Sequence, residues 1–505
     1  MTELADLVGE RLMIGLPGPD LRDEDVRLFR DTRAAGLILY RRNFEGPERL
    51  AALLDGLEGA LGRRLLVATD HEGGRIIMLG GGTTVFPDNL ALGTAGEPAF
   101  AHRQGLMEAR ELRRLGIDLN LGPCLDVLTE RYSPNIGIRS YGKDPATVAQ
   151  YGRARITGMQ SAGVSACPKH FPGKGHSPLD AHLKLPTIDS TWAEMHTTHL
   201  PPFLAAIADG VDSVMTSHPV YPNLDPSGVP ATFSRLIVED YLRGEIGFRG
   251  VIVSDDLEMG AVGESTTIAD AAVRTAAAGH DLLLVCHTEP AQRAAAVALL
   301  DTYASGARPR RELEAAAERV RRLRERRTQR REGGPAAPEP DGGALARAIA
   351  TRAVTAVRPA PSGFRKALNG RVHVIFPRFS ALAPRIFIEP AIQDEVGWLR
   401  VAFAPVGIAP EIEIVGIEPT AEEINRVAGG AAGADATVLF LFDAHLYPSN
   451  RALLEAVQSR ARALAVVLLR DPYDAALLEP GVFGLTAFGF RACQMQAVIA
   501  RLALP

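Results

Sequence analysis

The chain has 505 residues, 46% hydrophobic and 23% charged, and its 55 basic and 60 acidic side chains give a formal charge of −5. That length predicts about two to four domains, and the acidic balance argues against a general nucleic-acid binder or a polybasic membrane protein. No run of residues is long and apolar enough to cross a bilayer, and the four cysteines, Cys124, Cys167, Cys286 and Cys493, have no CxxC spacing. Neither a disulfide framework nor a zinc knuckle is expected. The first residues, MTELADLVGERLMIGLPGPD, lack the charged-then-apolar pattern of a secretory leader, so a cytoplasmic protein is expected.

Taken in order, short apolar runs occur at Leu12–Leu16, Gly36–Tyr40, Leu65–Asp70, Leu119–Pro123, Ser165–Phe171, Ser213–His218, Val251–Asp256 and Asp281–His287. Their lengths suit strands buried on both faces. Stretches with helical spacing separate them, including 97–115, 144–162, 191–208 and 265–278. Strand alternating with helix implies a parallel sheet, and eight units in about 300 residues fit a (β/α)8 TIM barrel. A doubly wound open sheet is the alternative. Many of the runs end on a polar residue: Asp70, Lys169 with His170, His218, Asp255 and His287. In a barrel, strand C-terminal ends form the active face.

Residues 307–332 read as an Arg-rich solvated helix. GGPAAPEPDGG at 333–343 reads as a linker, closing a first domain at 1–332 and opening a second at 344–505. The second shows strand candidates at His373–Pro377, Ile412–Ile417, Ala436–Asp443, Ala463–Leu469 and Gly484–Phe488, with helices at 344–356, 448–462 and 490–503. That pattern is a smaller three-layer α/β sandwich. It has no GxGxxG and no P-loop, so no cofactor is assigned to it.

The densest polar cluster is KHFPGKGHSPLDAHLKLP, residues 169–186. In extended chain, residues two apart face the same way, so Asp180 can bond one ring nitrogen of His182 and leave the other free as a general acid/base. Two other chemistries fit these residue types. His170, His176, His182 and Asp180 are types that ligate zinc, and Lys169 at a barrel strand end could form a Schiff base. A solvated polar loop is the bland reading. In VIVSDDLEMGAV, Asp255 ends a strand and faces the barrel mouth, while Asp256 faces away and caps the next helix. In ATDHEGGRIIM, Glu72 and Arg75 read as turn residues tied to each other. Arg139, in SPNIGIRSYG, reads as a mouth-loop ligand contact. Only five lysines stand among 50 arginines, and three of them, Lys169, Lys174 and Lys184, fall within sixteen residues. A lysine that persists in so Arg-rich a chain is expected to be needed as a lysine.

KHFPG…DxH, SDDLEM, TDHEGGR, NLGPCLDV at 120–127, NIGIRSYG and VMTSHPVYPNLDP at 214–226 together resemble glycoside hydrolase family 3, over roughly residues 5–330. The Asp-Ala-His spacing resembles its bacterial exo-β-N-acetylglucosaminidase branch. The resemblance implies a (β/α)8 barrel hydrolase acting on a small carbohydrate in the cytoplasm, on cell-wall fragments, with no cofactor or metal. No nucleic-acid or membrane partner is expected, and the chain is expected to be a monomer or homodimer. It implies Asp255 as catalytic nucleophile and His182 with Asp180 as acid/base. It places Asp70, Asp126, Arg139, Lys169, His170, Met215 and His218 at the substrate. His71, Met78 and Lys174 depart from the family pattern and bear on specificity. A β-glucosidase, another exo-β-glycosidase or a phosphorylase running the same mechanism are the alternatives.

Overall fold

The computed structural model describes residues 2–129, 133–177, 185–260, 266–331 and 342–504. All eight expected strand runs form: β1 Leu12–Gly15, β2 Gly36–Leu39, β3 Leu66–Thr69, β4 Leu119–Asn120, β5 Ser165–Ala166, β6 Ser213–Met215, β7 Val251–Val253 and β8 Leu283–Val285. They run parallel in the order β8-β1-β2-β3-β4-β5, with β6 beside β7. Two bridges close the ring, Phe171 with Thr216 and Val253 with Leu282. The open-sheet alternative is thereby removed. Several strands end earlier than the apolar runs do, because the chain leaves the ladder just before the polar residues.

Local chemistry explains the crossovers. Helix Pro145–Ser161 starts behind Asp144, whose carboxylate accepts the Thr147 N–H at 2.9 Å, with proline at its first turn. The stretch from Trp192 begins with a Thr191–Glu194 capping box. Helix Ile268–Ala278 stops at Gly279, whose φ of +112° is left-handed.

The barrel interior is an apolar plug that includes Met13, Ile38, Leu66, Leu119, Met215, Val253 and Leu284. Val320 and Leu323 belong to the same cluster. They lie on helix Arg310–Arg331. The helix expected to be merely solvated therefore carries a buried stripe, which also includes Leu313, Ala316 and Ala317. Arginine abundance hid it: the apolar residues recur at helical spacing between the basic ones.

The second unit contains a six-stranded sheet. Its strands are β9 Thr355–Arg358, β10 Val372–Pro377, β11 Glu411–Val415, β12 Ala436–Leu441, β13 Leu464–Leu468 and β14 Phe483–Thr486. Their order is β9-β14-β13-β12-β10-β11. Only β9 is antiparallel. Separate apolar clusters cover the two faces, as a three-layer sandwich requires. Strand β9 escaped the sequence reading because TAVR is short and partly exposed. Helix Gly342–Ala353 begins inside the expected linker, most of which lies outside the described residues.

Residues 73–77 and 85–97, which the sequence boundary puts in the first domain, cluster with the second unit. Arg491 donates to the Gly74 carbonyl at 2.7 Å, and the Arg75 N–H donates to Asp88 at 2.9 Å. Burial, opposed by Arg491, raises the Asp88 carboxyl to about 6.

Candidate active site

Every polar strand-end residue singled out in the sequence, where described, stands just beyond a strand C-terminus of the barrel. Asp70 follows β3, Asp126 follows β4, Lys169 and His170 follow β5, His218 follows β6, and Asp255 follows β7. The loop after β5 is placed by close backbone approach. A Cβ on Gly175 would sit 1.8 Å from the Val127 carbonyl oxygen, so only glycine lets the loop pass there. Lys169–His170, Phe171–Pro172 and Gly122–Pro123 are cis peptides.

Four charged side chains form one chain of contacts. Lys169 Nζ bonds the Asp70 carboxylate and lies 2.8 Å from Glu72 Oε1. Glu72 in turn accepts from Arg139, Nε at 2.9 Å and Nη2 at 2.7 Å. Burial works against the charge of Glu72, but Arg139 and Lys169 outweigh it and hold the carboxyl well below its usual range. Burial likewise works against the Lys169 ammonium, and Asp70 and Glu72 outweigh it, so its pKa is raised. With its ammonium committed to two carboxylates, Lys169 is not presented as a free amine, which speaks against its Schiff-base reading.

Arg139 Nη2 also lies 3.4 Å from His170 Nε2, and His170 Nδ1 lies 2.7 Å from Asp126 Oδ2. Asp126 accepts the Lys174 backbone N–H at 2.7 Å and the Cys124 thiol at 3.2 Å. Fully buried, Asp126 orients His170 and the loop. Cys124, Asp126 and His170 offer ligand atoms within 4.8 Å of one another, the one such group near the mouth among the described residues. They already bond among themselves. His170 and His176 engage different partners: the exposed His176 sits 3.0 Å from Thr129 Oγ1. Asp180 and His182 lie outside the described residues.

Asp255 Oδ1 accepts the Asp256 N–H at 3.0 Å. Burial raises its carboxyl pKa, but Lys174, His218 and Lys169 more than offset this and leave it below the usual value. Lys174 is buried, which lowers its own ammonium pKa; Asp255 opposes that shift. Asp256, expected to cap the next helix, instead serves the turn that follows it and the end of β8. Its Oδ1 accepts the Glu258 N–H at 3.2 Å and the Cys286 N–H at 3.3 Å, and Oδ2 lies 3.0 Å from His287 Nε2. His218 is held at both ring nitrogens, 2.7 Å from Thr232 Oγ1 and 2.9 Å from the Asp256 carbonyl. Met215 is packed in the barrel plug.

Sequence reasoning missed two members of this site. Glu72 is not merely a turn residue: it is the buried carboxylate between Arg139 and Lys169. Its backbone carbonyl accepts from Arg155 at 2.6 Å, and Arg155 is itself paired to Glu108. Lys174, noted only as a departure and as one of five lysines, supplies positive charge to Asp255. The lysine bias was the signal that could have found it.

An aspartate just past the end of β7, with the Lys174 and Lys169 ammonium groups acting on it at a barrel's active face, is the site of a barrel hydrolase. Residues 4–323 match the glycosyl hydrolase family 3 N terminal domain, and the chain belongs to that family. A β-hexosaminidase of Tolumonas auensis is 39% identical over 57% of this chain and 85% of its own length. The structure of a glycoside hydrolase family 3 β-N-acetylglucosaminidase from Paenibacillus superposes with a TM-score of 0.91 at 31% identity, covering 99% of this chain and 96% of that one. A β-N-acetylhexosaminidase structure from Beutenbergia cavernae is 32% identical with a TM-score of 0.59, over 64% of this chain and 98% of its own.

Proposed function

We propose that the protein is a retaining exo-β-N-acetylglucosaminidase. The observation that carries this is the place of Asp255: a carboxylate just past the β7 end on the barrel's active face, with the Lys174 and Lys169 ammonium groups favouring its charged form. Asp255 attacks the anomeric carbon while protonated His182, backed by Asp180, gives its proton to the leaving oxygen. A glycosyl-aspartate forms. His182, now neutral, takes a proton from water, which releases the sugar with its configuration retained. Asp70, Lys169 and Arg139 present fixed charges to the sugar hydroxyls, with His170 beside them, and Glu72 and Asp126 hold these groups in place. The named relatives support N-acetylglucosamine as the substrate sugar.

We assign catalysis to a domain spanning 1–332, joined through 333–343 to a domain at 344–505. The Beutenbergia relative supports this, since 64% of this chain spans nearly all of it. Four free cysteines are consistent with a reducing, cytoplasmic setting, and cell-wall fragments are the substrates that the family resemblance implies there.

The test is a panel of p-nitrophenyl glycosides, with and without phosphate and EDTA, together with a mechanism-based fluoro-sugar. Turnover confined to the N-acetylglucosaminide, label on Asp255, and indifference to EDTA are expected. Preference for the glucoside, label elsewhere, or a sugar 1-phosphate product would each overturn the corresponding part of the reading.

A further inference from the structure

The opposite end of the barrel carries a cavity of about 380 Å³ that the reaction does not use. Arg11 precedes β1, Arg249 precedes β7 and His280 precedes β8, so the cavity lies at the strand N-termini. Helix Arg310–Arg331 lines it with Arg311 and Arg319, and Arg308 stands just before that helix. Arg235 and Arg243 complete seven guanidinium groups, against two lining carboxylates, Glu239 and Glu312.

The neighbouring acids do not balance this charge. Glu312 pairs with Arg308 at 2.5 Å, and Asp240 lies 3.5 Å from Arg235. Beneath them the buried Asp281 serves both Arg243 at 2.5 Å and Arg319 at 2.8 Å. Among the described residues, Arg249 and Arg311 have no ion-pair partner. The buried guanidiniums are fixed by their neighbours: Arg11 donates to the Tyr303 hydroxyl and the His280 carbonyl at 2.5 Å each, and Arg243 donates to the Phe248 and Gly250 carbonyls at 2.8 Å each. Arg11 and Arg243 are 2% and 7% exposed. Neutral carbonyl and hydroxyl acceptors hold these cations without cancelling their charge, so the wall of the cavity stays positive. The first turn of a 22-residue helix adds the positive end of its dipole to the same wall.

We propose that the arginine cavity at the strand N-termini, walled by Arg11, Arg243, Arg249, Arg308, Arg311 and Arg319, binds a small phosphate-class anion. Arg249 and Arg311, exposed and without an ion-pair partner among the described residues, contact the anion, and the buried guanidiniums add fixed positive charge behind them. The volume lies in the range of a small-molecule site and leaves room for the body of a phosphate ester. Such a ligand stabilises the barrel from the end remote from Asp255.

The experiment is calorimetric titration of the full chain with inorganic phosphate and with a hexose 6-phosphate, at matched ionic strength, alongside thermal unfolding. Wild type and an Arg249→Gln/Arg311→Gln double variant are compared, with Lys174→Met as a probe of the active face. Wild type is expected to show one saturable site and a Tm rise of about 5 °C at hundredfold excess over Kd. The double variant is expected to keep its ligand-free Tm and its turnover but lose affinity at least tenfold; Lys174→Met keeps the affinity. Tighter binding of the ester assigns a phosphorylated small molecule as the source, and equal binding assigns free phosphate. No saturable binding in wild type, undiminished binding in the double variant, or loss confined to Lys174→Met would overturn the proposal.

Discussion

Glu72 meets Arg139 in a two-point contact, Oε2 to Nε at 2.9 Å and Oε1 to Nη2 at 2.7 Å, with both side chains buried. Removing the Glu72 charge leaves the buried Arg139 without its carboxylate partner in a low-dielectric interior. Glu72→Gln keeps the shape and deletes the charge. Breaking a buried pair costs about 3–5 kcal/mol, and urea unfolding should show a loss of that size. The Glu72 carboxyl is held well below its usual 4.5, so its stabilisation is complete above pH 4.5 and declines as pH falls toward the folded value. The wild-type stability curve should therefore drop below pH 4.5, and the variant's drop should be shallower. An unchanged midpoint at neutral pH would contradict this account of the pair.

Lys169 serves Asp70 and Glu72 with one compact ammonium. Arg139 already occupies Glu72 with a planar fork, so a second guanidinium at 169 has no matching face. Lys169→Arg is expected to retain the fold and charge and to lose on the order of 10²-fold in kcat/KM. Wild-type kinetics for this variant would remove Lys169 from the substrate site.

Lys174 contributes most to holding Asp255 ionised against burial. Lys174→Met removes that contribution, so the Asp255 pKa rises. The acid limb of the kcat/KM profile is expected to move to higher pH. In wild type, the alkaline limb should fall below 10.5, because burial lowers the Lys174 ammonium pKa and its charge is lost as pH rises. Superimposable profiles for the two proteins would show that Lys174 does not tune Asp255.

His182→Ala tests the acid assigned from the Asp-Ala-His spacing. Loss of a general acid costs about 10²–10⁴-fold, and the cost should fall on substrates with poor leaving groups, with activated aryl glycosides largely spared in the first step. Adding azide should restore turnover of the activated substrate as a glycosyl azide. Equal losses on both substrate classes would make His182 structural.

Eight strand positions were legible because burial on both faces forces continuous apolar runs, and run length separates them from helices. Asp70, Lys169, His170 and Asp255 were legible because each ends such a run. The partners of these residues were not. Nothing local distinguishes Glu72 from a turn glutamate, since Arg139 is 67 positions away. Nor does sequence show that Asp126 spends its carboxylate on His170 and the Lys174 N–H, or that His218 is already engaged at both nitrogens.

The sequence by itself determined the alternation of strand and helix, the polar strand ends, the family motifs and a second α/β sheet, because these follow from periodicity and short-range chemistry. Only the tertiary structure decided which charges neutralise which. It packed an Arg-rich helix into the barrel plug through Val320 and Leu323, set Lys174 to act on Asp255, and gathered residues 73–77 and 85–97 into the second unit. Those outcomes depend on distances between residues far apart in the chain, and a Coulomb interaction is governed by separation and burial, neither of which is written in sequence order.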